Sequence, residues 1–121
     1  ACPSFNKTCL GCASTDKQQK RQSKWNCKLR TCCYDEKGLE FCSECEEYLC
    51  QNINKKLLDS HPNDPRFNYR RDVPANLSLL EEIGQKEYLL KMKEKYTCPS
   101  CEGRVVWYLY RCTACDIEVL V

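Results

Sequence analysis

The middle of the chain carries hydrophobic residues at helical spacing. In residues 43–59, Cys45, Leu49, Ile53 and Leu57 recur every four positions. This period predicts a helix whose apolar stripe begins at a cysteine. If that cysteine binds a metal, the metal would hold the start of the helix to the preceding loop.

A second helix is predicted over residues 78–96. Its first four residues, 78–81, have the form of a capping box, and Gly84 predicts a break or bend. One face carries Leu89, Met92 and Tyr96. This face is more typical of a packed core than of a binding stripe. Residues 61–75, which contain three prolines, are predicted to form a crossing loop or linker.

The C-terminal end changes to a β pattern. Residues 104–111 are rich in β-formers and residues 117–121 are predicted to be a second strand, so that a hairpin results. The predicted fold is therefore a small, metal-stapled α+β protein with cysteine-rich N-terminal loops and helices, central helices and a C-terminal β-hairpin. We expect a cysteine-rich metal-binding region at 1–60, a loop and helical connector at 61–96, and a ribbon domain at 97–121.

Cysteine content changes the picture, because 13 of the 121 residues are cysteines. Four pairs have the spacing Cys-x-x-Cys, which suits two thiolates reaching one metal ion from a single turn. Metal is therefore favoured over disulfides, and a reducing cytoplasm is the expected location. No apolar run approaches the roughly 18 residues of a membrane span, so we expect no membrane span in this chain.

The last two pairs form the sharpest signal. Cys98, Cys101, Cys112 and Cys115 follow the pattern C-x2-C-x10-C-x2-C, which predicts a zinc ribbon with a closed, structural four-thiolate site. Gly103 is expected to take a positive φ in the turn leaving the metal. Trp107 is expected to pack in the hairpin, with stacking on a base or a partner as the alternative.

The N-terminal half holds the other nine cysteines. Sequence order suggests a first site of Cys2, Cys9, Cys12 and Cys27. It suggests a second site of Cys42, Cys45 and Cys50 with Cys32 or Cys33. Interleaved groupings are equally compatible with the spacing. Zinc is favoured for both sites, and an iron–sulfur cluster is the alternative.

Charge is segregated along the chain. A basic block that includes Lys20, Arg21 and Lys24 precedes an acidic block in residues 35–47. The basic residues, with Trp25, are candidates for contacting a partner, although a solvated loop is the blander interpretation. The acidic neighbour disfavours nucleic acid. Twelve thiolates with three Zn²⁺ ions would also take the formal net charge from +2 to about −4.

Several segments resemble a cysteine-rich family of unknown function that is common in methanogenic archaea and anaerobic bacteria. They are Cys2-Pro3, Cys9-Leu10-Gly11-Cys12, residues 27–32, residues 36–50 and the Asn76-Leu77 helix that leads into the ribbon. The family pattern usually starts with a further C-G-x-x-C segment and usually lacks a cysteine at position 33. The resemblance implies Cys32 as the ligand of the second site and Cys33 as the spare thiol. It implies a metalloprotein of an anaerobic cytoplasm and no particular reaction.

These features favour a non-enzymatic adaptor or regulator that docks on a larger protein or enzyme complex. Its target would be an oxygen-sensitive complex of anaerobic metabolism, and its thiolates would sense oxygen or redox state. Catalysis is disfavoured because closed thiolate sites leave no open position, and His61, the single histidine, lies in a loop-forming stretch. The alternatives are a nucleic-acid-binding zinc-ribbon protein and an iron–sulfur electron carrier.

Overall fold

The structure is a computed structural model that describes residues 7–119. Within the described residues two compact units are present, one ending at Lys56 and the other beginning at Leu57. We call them the N-terminal unit and the C-terminal unit and describe each by itself. The described part of the chain contains four α-helices and one two-stranded sheet, in agreement with the predicted α+β class. None of these helices is both long and apolar enough to cross a membrane.

The N-terminal unit consists of short helical turns joined by loops. A 3-10 turn, Ser23–Asn26, precedes α1, Lys28–Arg30, which runs into a π-helical turn, Thr31–Glu36. A 3-10 turn at Cys42–Glu44 follows, and α2, Gln51–Ile53, runs into a π-helical turn at Asn54–Leu58. Helix α1 lies against α2, and Cys33 and Ile53 are buried.

The helix predicted over residues 43–59 was placed too early. Leu49 has a φ of 65° and Cys50 has an extended ψ of 168°, so helical backbone begins only at Gln51. The four-residue period across 45–57 therefore does not describe one continuous helix. Ile53 alone among its members is fully buried.

Buried cations hold the loop around the first cysteine pair. The Lys24 Nζ donates to the carbonyl oxygens of Gly11 and Ser14, both at 2.8 Å. The Arg30 Nε donates to the Cys12 carbonyl at 3.0 Å. These charge-assisted hydrogen bonds satisfy loop carbonyls that have no helix or sheet partner.

In the C-terminal unit, the segment expected to be a loop is largely helical. A 3-10 turn, Pro65–Phe67, is followed by α3, Asn68–Arg71, and by α4, Val73–Lys95. The prolines fit these helices because Pro65 and Pro74 stand in first turns, where a missing N–H costs no hydrogen bond.

Helix α4 confirms the predicted bend and corrects the predicted start. Gly84 has non-helical angles, with φ of 78° and ψ of 162°, and the helix is kinked there. Ser78 lies inside the helix and its hydroxyl donates to the Pro74 carbonyl, so it is not a cap. Tyr96 and Met92 face the core as predicted, whereas Leu89 is 58% exposed.

The sheet pairs β1, Val105–Val106, with β2, Arg111–Cys112, in antiparallel register. The segment predicted as one strand, 104–111, therefore folds back on itself through residues 107–110, where Tyr108 and Tyr110 have positive φ. The predicted second strand contributes a single bridge, Arg111 to Glu118, and its last two residues lie outside the described range. Tyr96, Cys98, Val105 and Cys112 form the core, against which Trp107 packs.

Candidate metal centre

The C-terminal unit brings four thiols together. The sulfur atoms of Cys98, Cys101, Cys112 and Cys115 all lie within 4.8 Å of one another, and this group can hold a metal ion. The Cys98–Cys115 and Cys101–Cys112 sulfur distances are 3.7 Å and 3.4 Å. A tetrahedral ion about 2.3 Å from each sulfur would set the sulfurs about 3.8 Å apart, so the geometry suits a single ion.

Two tight turns supply the ligands. The first follows α4, where the Cys98 N–H donates to the Gly103 carbonyl at 2.8 Å and the Glu102 N–H donates to the Cys98 carbonyl at 2.9 Å. The second follows β2, where the Asp116 N–H donates to the Cys112 carbonyl at 3.1 Å. Because β1 pairs Val105 with Cys112, the sheet fixes the distance between the two turns.

The group straddles the edge of the core. Cys98 and Cys112 are 1% and 3% exposed, whereas Cys101 and Cys115 are exposed. An ion bound here would have the core on one side and solvent on the other. Four protein thiolates would fill a tetrahedral coordination shell, which leaves no position for water or substrate.

Backbone N–H groups polarise the inner thiols. Donors at Cys115 and Ala114 lower the pKa of Cys112 to about 6. The N–H of Ser100 likewise lowers the pKa of Cys98. At Cys101 the Gly103 N–H acts in the same direction, but hydrogen bonds with the thiols of Cys115 and Cys112 outweigh it and raise the pKa to about 12. The backbone N–H groups thus favour the thiolate form of the two inner cysteines, which is the form that binds metal.

Gly103 is needed for space and not for its φ. The structure gives a positive φ to Glu102, at 58°, and not to Gly103, which corrects the sequence expectation. A Cβ at position 103 would lie 2.7 Å from the Cys112 Sγ and 3.2 Å from the Cys101 Sγ. Only a residue without a side chain lets the backbone pass this close to the sulfurs.

The first N-terminal group is not assembled in the described residues. Cys2 lies outside them, and Cys9, Cys12 and Cys27 do not bring all their sulfurs within 4.8 Å of one another. Cys9 and Cys27 are half-buried and Cys12 is exposed. The grouping of these cysteines stays a prediction.

The second group shares one small cavity. Cys32, Cys42, Cys45 and Cys50 line it together with Cys33, which the spacing left as an alternative to Cys32 and the resemblance marked as the spare thiol. In the described part of the N-terminal unit, no three thiols lie mutually within 4.8 Å. Burial raises the pKa of Cys42 to about 12, with Cys33 nearby as a further cause.

The structure places two of the four partner candidates inside the fold. Lys24 is 6% exposed, and its ammonium is engaged by carbonyls and lies 4.4 Å from the Trp25 ring. Trp25 is half-buried and also has the Arg30 guanidinium over its ring, at 4.5 Å. Lys20 and Arg21 are exposed. Part of the basic block therefore stabilises the fold from inside and is not available to a partner. The charge pattern of the sequence did not predict this.

Sequence reasoning also missed a groove in the C-terminal unit. It lies between α4 and the ribbon, has a volume of about 490 Å³, and is lined by Tyr88, Leu89, Met92, Tyr96 and Trp107 among others. Leu89 and its neighbour Leu90 are 58% and 53% exposed. The sequence pattern places Leu89 on the core-facing side of the helix. Its exposure to solvent, which marks the groove, is apparent only from the structure.

One family model matches the N-terminal part of the chain. Residues 2–55 match the model of the family described as Protein of unknown function (DUF3795). The match spans the N-terminal cysteines and agrees with the resemblance to a cysteine-rich family of unknown function. The four-cysteine group of the C-terminal unit lies beyond it. No curated protein and no solved structure matches the chain.

Proposed function

We propose that the chain is a non-enzymatic, zinc-stapled adaptor or regulator that docks on a larger protein or enzyme complex. The observation that carries the proposal is an apolar groove whose edge includes Glu102, which follows Cys101 in the first turn of the four-thiol group. The bound metal would hold the turns that border the groove, and the groove would contact the partner protein. In this proposal, partner binding by the C-terminal unit depends on the metal bound to the same unit.

Zinc is the ion that this donor set favours. Four thiolates at tetrahedral spacing are typical of structural Zn²⁺, which is redox-inert and has no preference for other geometries. The inner sulfurs pack against Tyr96 and Val105, so binding the ion closes the core of the ribbon. A closed coordination shell also argues against metal-assisted catalysis. His61 is stacked on Phe67, with ring centroids 4.0 Å apart, which supports a packing role for the single histidine.

The groove suits an apolar segment of a partner protein. Its floor is aromatic and aliphatic, from Tyr96, Met92 and Trp107, and such surfaces anchor protein interfaces. Among the charged residues at its rim, Lys93 and Arg104 outnumber Glu102, which favours a partner segment with acidic flanks. The partner we propose belongs to an oxygen-sensitive complex of anaerobic metabolism in the cytoplasm.

Exposure of two ligands supports a response to oxygen. Cys101 and Cys115 lie on the solvent side of the group. Oxidation of these thiolates would release the ion and loosen the turn that borders the groove. Partner binding would then be lost in air and kept under anoxic conditions.

The nucleic-acid alternative is weakened by the position of Lys24. Its ammonium is committed to the carbonyls of Gly11 and Ser14 and does not offer its charge to a phosphate. Lys20 and Arg21 remain exposed, so the basic surface is smaller than the sequence suggests.

Affinity capture from the native host, with matched leucine variants, tests the proposal. Leu89 lines the groove, whereas Leu90 is equally exposed on the same helix and does not line it. We expect Leu89→Glu to lose a partner protein that wild-type chain and Leu90→Glu both retain under anoxic conditions. Equal capture by all three forms, or capture of RNA or DNA in place of protein, would overturn the proposal.

A further inference from the structure

Five cysteines of the N-terminal unit converge on one cavity. Cys32 and Cys33 reach it from the π-helical turn after α1, Cys42 and Cys45 from the next 3-10 turn, and Cys50 from the start of α2. Leu29, Leu39 and Ile53 complete the lining with apolar surface. Elements distant in the sequence are therefore brought together around sulfur atoms, as in a metal-stapled loop.

The cavity is small. Its volume is about 20 Å³. A site for one water molecule needs roughly 10–15 Å³ on the same measure, so the cavity has room for a single ion.

Burial distinguishes Cys33 from Cys32. Cys33 is 6% exposed, it lines the cavity beside Cys42, and its thiol donates to the Leu39 carbonyl at 3.4 Å. Cys32 is half-buried. The more deeply buried of the two thiols is therefore Cys33, which the resemblance to the family had marked as the spare one.

Lys37 supplies the charge that such a site requires. Its ammonium donates to the Cys45 sulfur at 3.2 Å and to the Glu47 carboxylate at 2.6 Å. Four thiolates around a divalent ion carry a net charge of about −2, and a cation that donates to one sulfur stabilises that charge. Lys37 thus stands where an outer-shell hydrogen bond to the metal site would be made.

We propose that the N-terminal unit binds one divalent metal ion through Cys33, Cys42, Cys45 and Cys50, with Lys37 donating to Cys45 and Cys32 outside the coordination shell. Each of the four thiols releases its proton to water when the ion binds. These sulfurs are more widely spaced than those of the C-terminal group, so binding draws them inward. The inference shares only metal binding with the proposed function and does not depend on partner docking.

Cadmium-113 NMR of the full wild-type chain, loaded with cadmium under anoxic conditions, identifies the ligands directly. We expect one resonance coupled to the β-protons of Cys33, Cys42, Cys45 and Cys50, distinct from the resonance of the ribbon group. Coupling to Cys32 in place of Cys33, or no resonance coupled to these cysteines, overturns the proposal. The ribbon resonance reports separately on the proposed function, so the two can fail independently.

Metal content of matched variants provides a second measurement. We expect Cys33→Ser to lose one equivalent of bound metal relative to wild type and Cys32→Ser to lose none. Lys37→Met should weaken binding at this site by about 10- to 100-fold. Loss in Cys32→Ser alone, or several iron atoms with acid-labile sulfide in this unit, contradicts the single-ion site. If Cys33→Ser does not fold, the couplings in the wild-type chain still decide.

Discussion

A Cβ atom at Gly103 would lie 2.7 Å from the Sγ of Cys112 and 2.9 Å from the Cβ of Ala114. Both of these atoms belong to the second turn of the four-thiol group, whereas Gly103 follows the first. The two metal-binding turns therefore approach each other at a position where the backbone carries no side chain. A methyl group there would push the turns apart.

Gly103→Ala is accordingly expected to weaken metal binding by the C-terminal unit by about 10- to 100-fold, the range found when groups around metal ligands are disturbed. Competition with a chromophoric chelator measures the affinity. Ser100→Ala, in the same turn, is the control and should bind as wild type does. Unchanged affinity in Gly103→Ala would mean that the turns can separate without loss of ligand geometry.

The four-thiol group could be predicted from sequence because each Cys-x-x-Cys pair defines a tight turn by itself. The hairpin between the pairs was less predictable. Residues 107–110 are strong β-formers, yet they form the turn, because pairing Val105 with Cys112 requires the chain to reverse between them. Tertiary closure of the site therefore overrides local propensity, at the cost of positive φ at Tyr108 and Tyr110.

The internal role of Lys24 was beyond sequence reasoning for a different reason. A lysine in a basic run is usually solvated, and only the fold reveals that the carbonyls of Gly11 and Ser14 meet at its ammonium. In contrast, the bend at Gly84 was predictable, since glycine is poorly suited to a helix interior.

Replacing Lys24 should destabilise the N-terminal unit. Lys24→Met removes two charge-assisted hydrogen bonds, and only the Gly11 carbonyl keeps a further donor, the Ser14 N–H, so we expect a cost of about 1.5–3 kcal/mol of unfolding free energy. Lys20→Met, at an exposed position of the same basic block, should change it by less than about 0.5 kcal/mol. Chemical denaturation measures both. Equal effects of the two substitutions would contradict an internal role for Lys24.

The kink in α4 predicts that replacing Gly84 destabilises the protein through backbone strain and not through a steric clash. Nothing lies within 4 Å of a Cβ at Gly84, but its φ of 78° and ψ of 162° fall in a region that is essentially restricted to glycine. Gly84→Ala should therefore destabilise the C-terminal unit by about 1–3 kcal/mol, measured by denaturation. Gln85→Ala, at the next and exposed position, should have little effect. A stability gain in Gly84→Ala would show that the helix straightens without loss of tertiary contacts.

The protonation of Asp64 makes the stability of the 3-10 turn at Pro65–Phe67 depend on pH. Its carboxylate accepts from the Arg66 N–H and pairs with the Arg66 guanidinium at 2.7 Å, and this hydrogen bonding lowers its pKa below the ordinary value. Because the pKa in the folded state is the lower one, the contribution to stability is present above the ordinary pKa of aspartate. It is lost as the pH falls through the lowered value.

Carbon-13 NMR of the Asp64 carboxyl group measures this pKa directly. We expect a titration midpoint below the ordinary aspartate value in the wild-type chain and a return toward that value in Arg66→Gln, which removes the guanidinium. Arg71→Gln is the control, because Arg71 donates to Asn68 and to the His61 carbonyl and not to Asp64. A midpoint that Arg66→Gln leaves unchanged would mean that the N–H of residue 66 alone sets the pKa, since that donor survives the substitution.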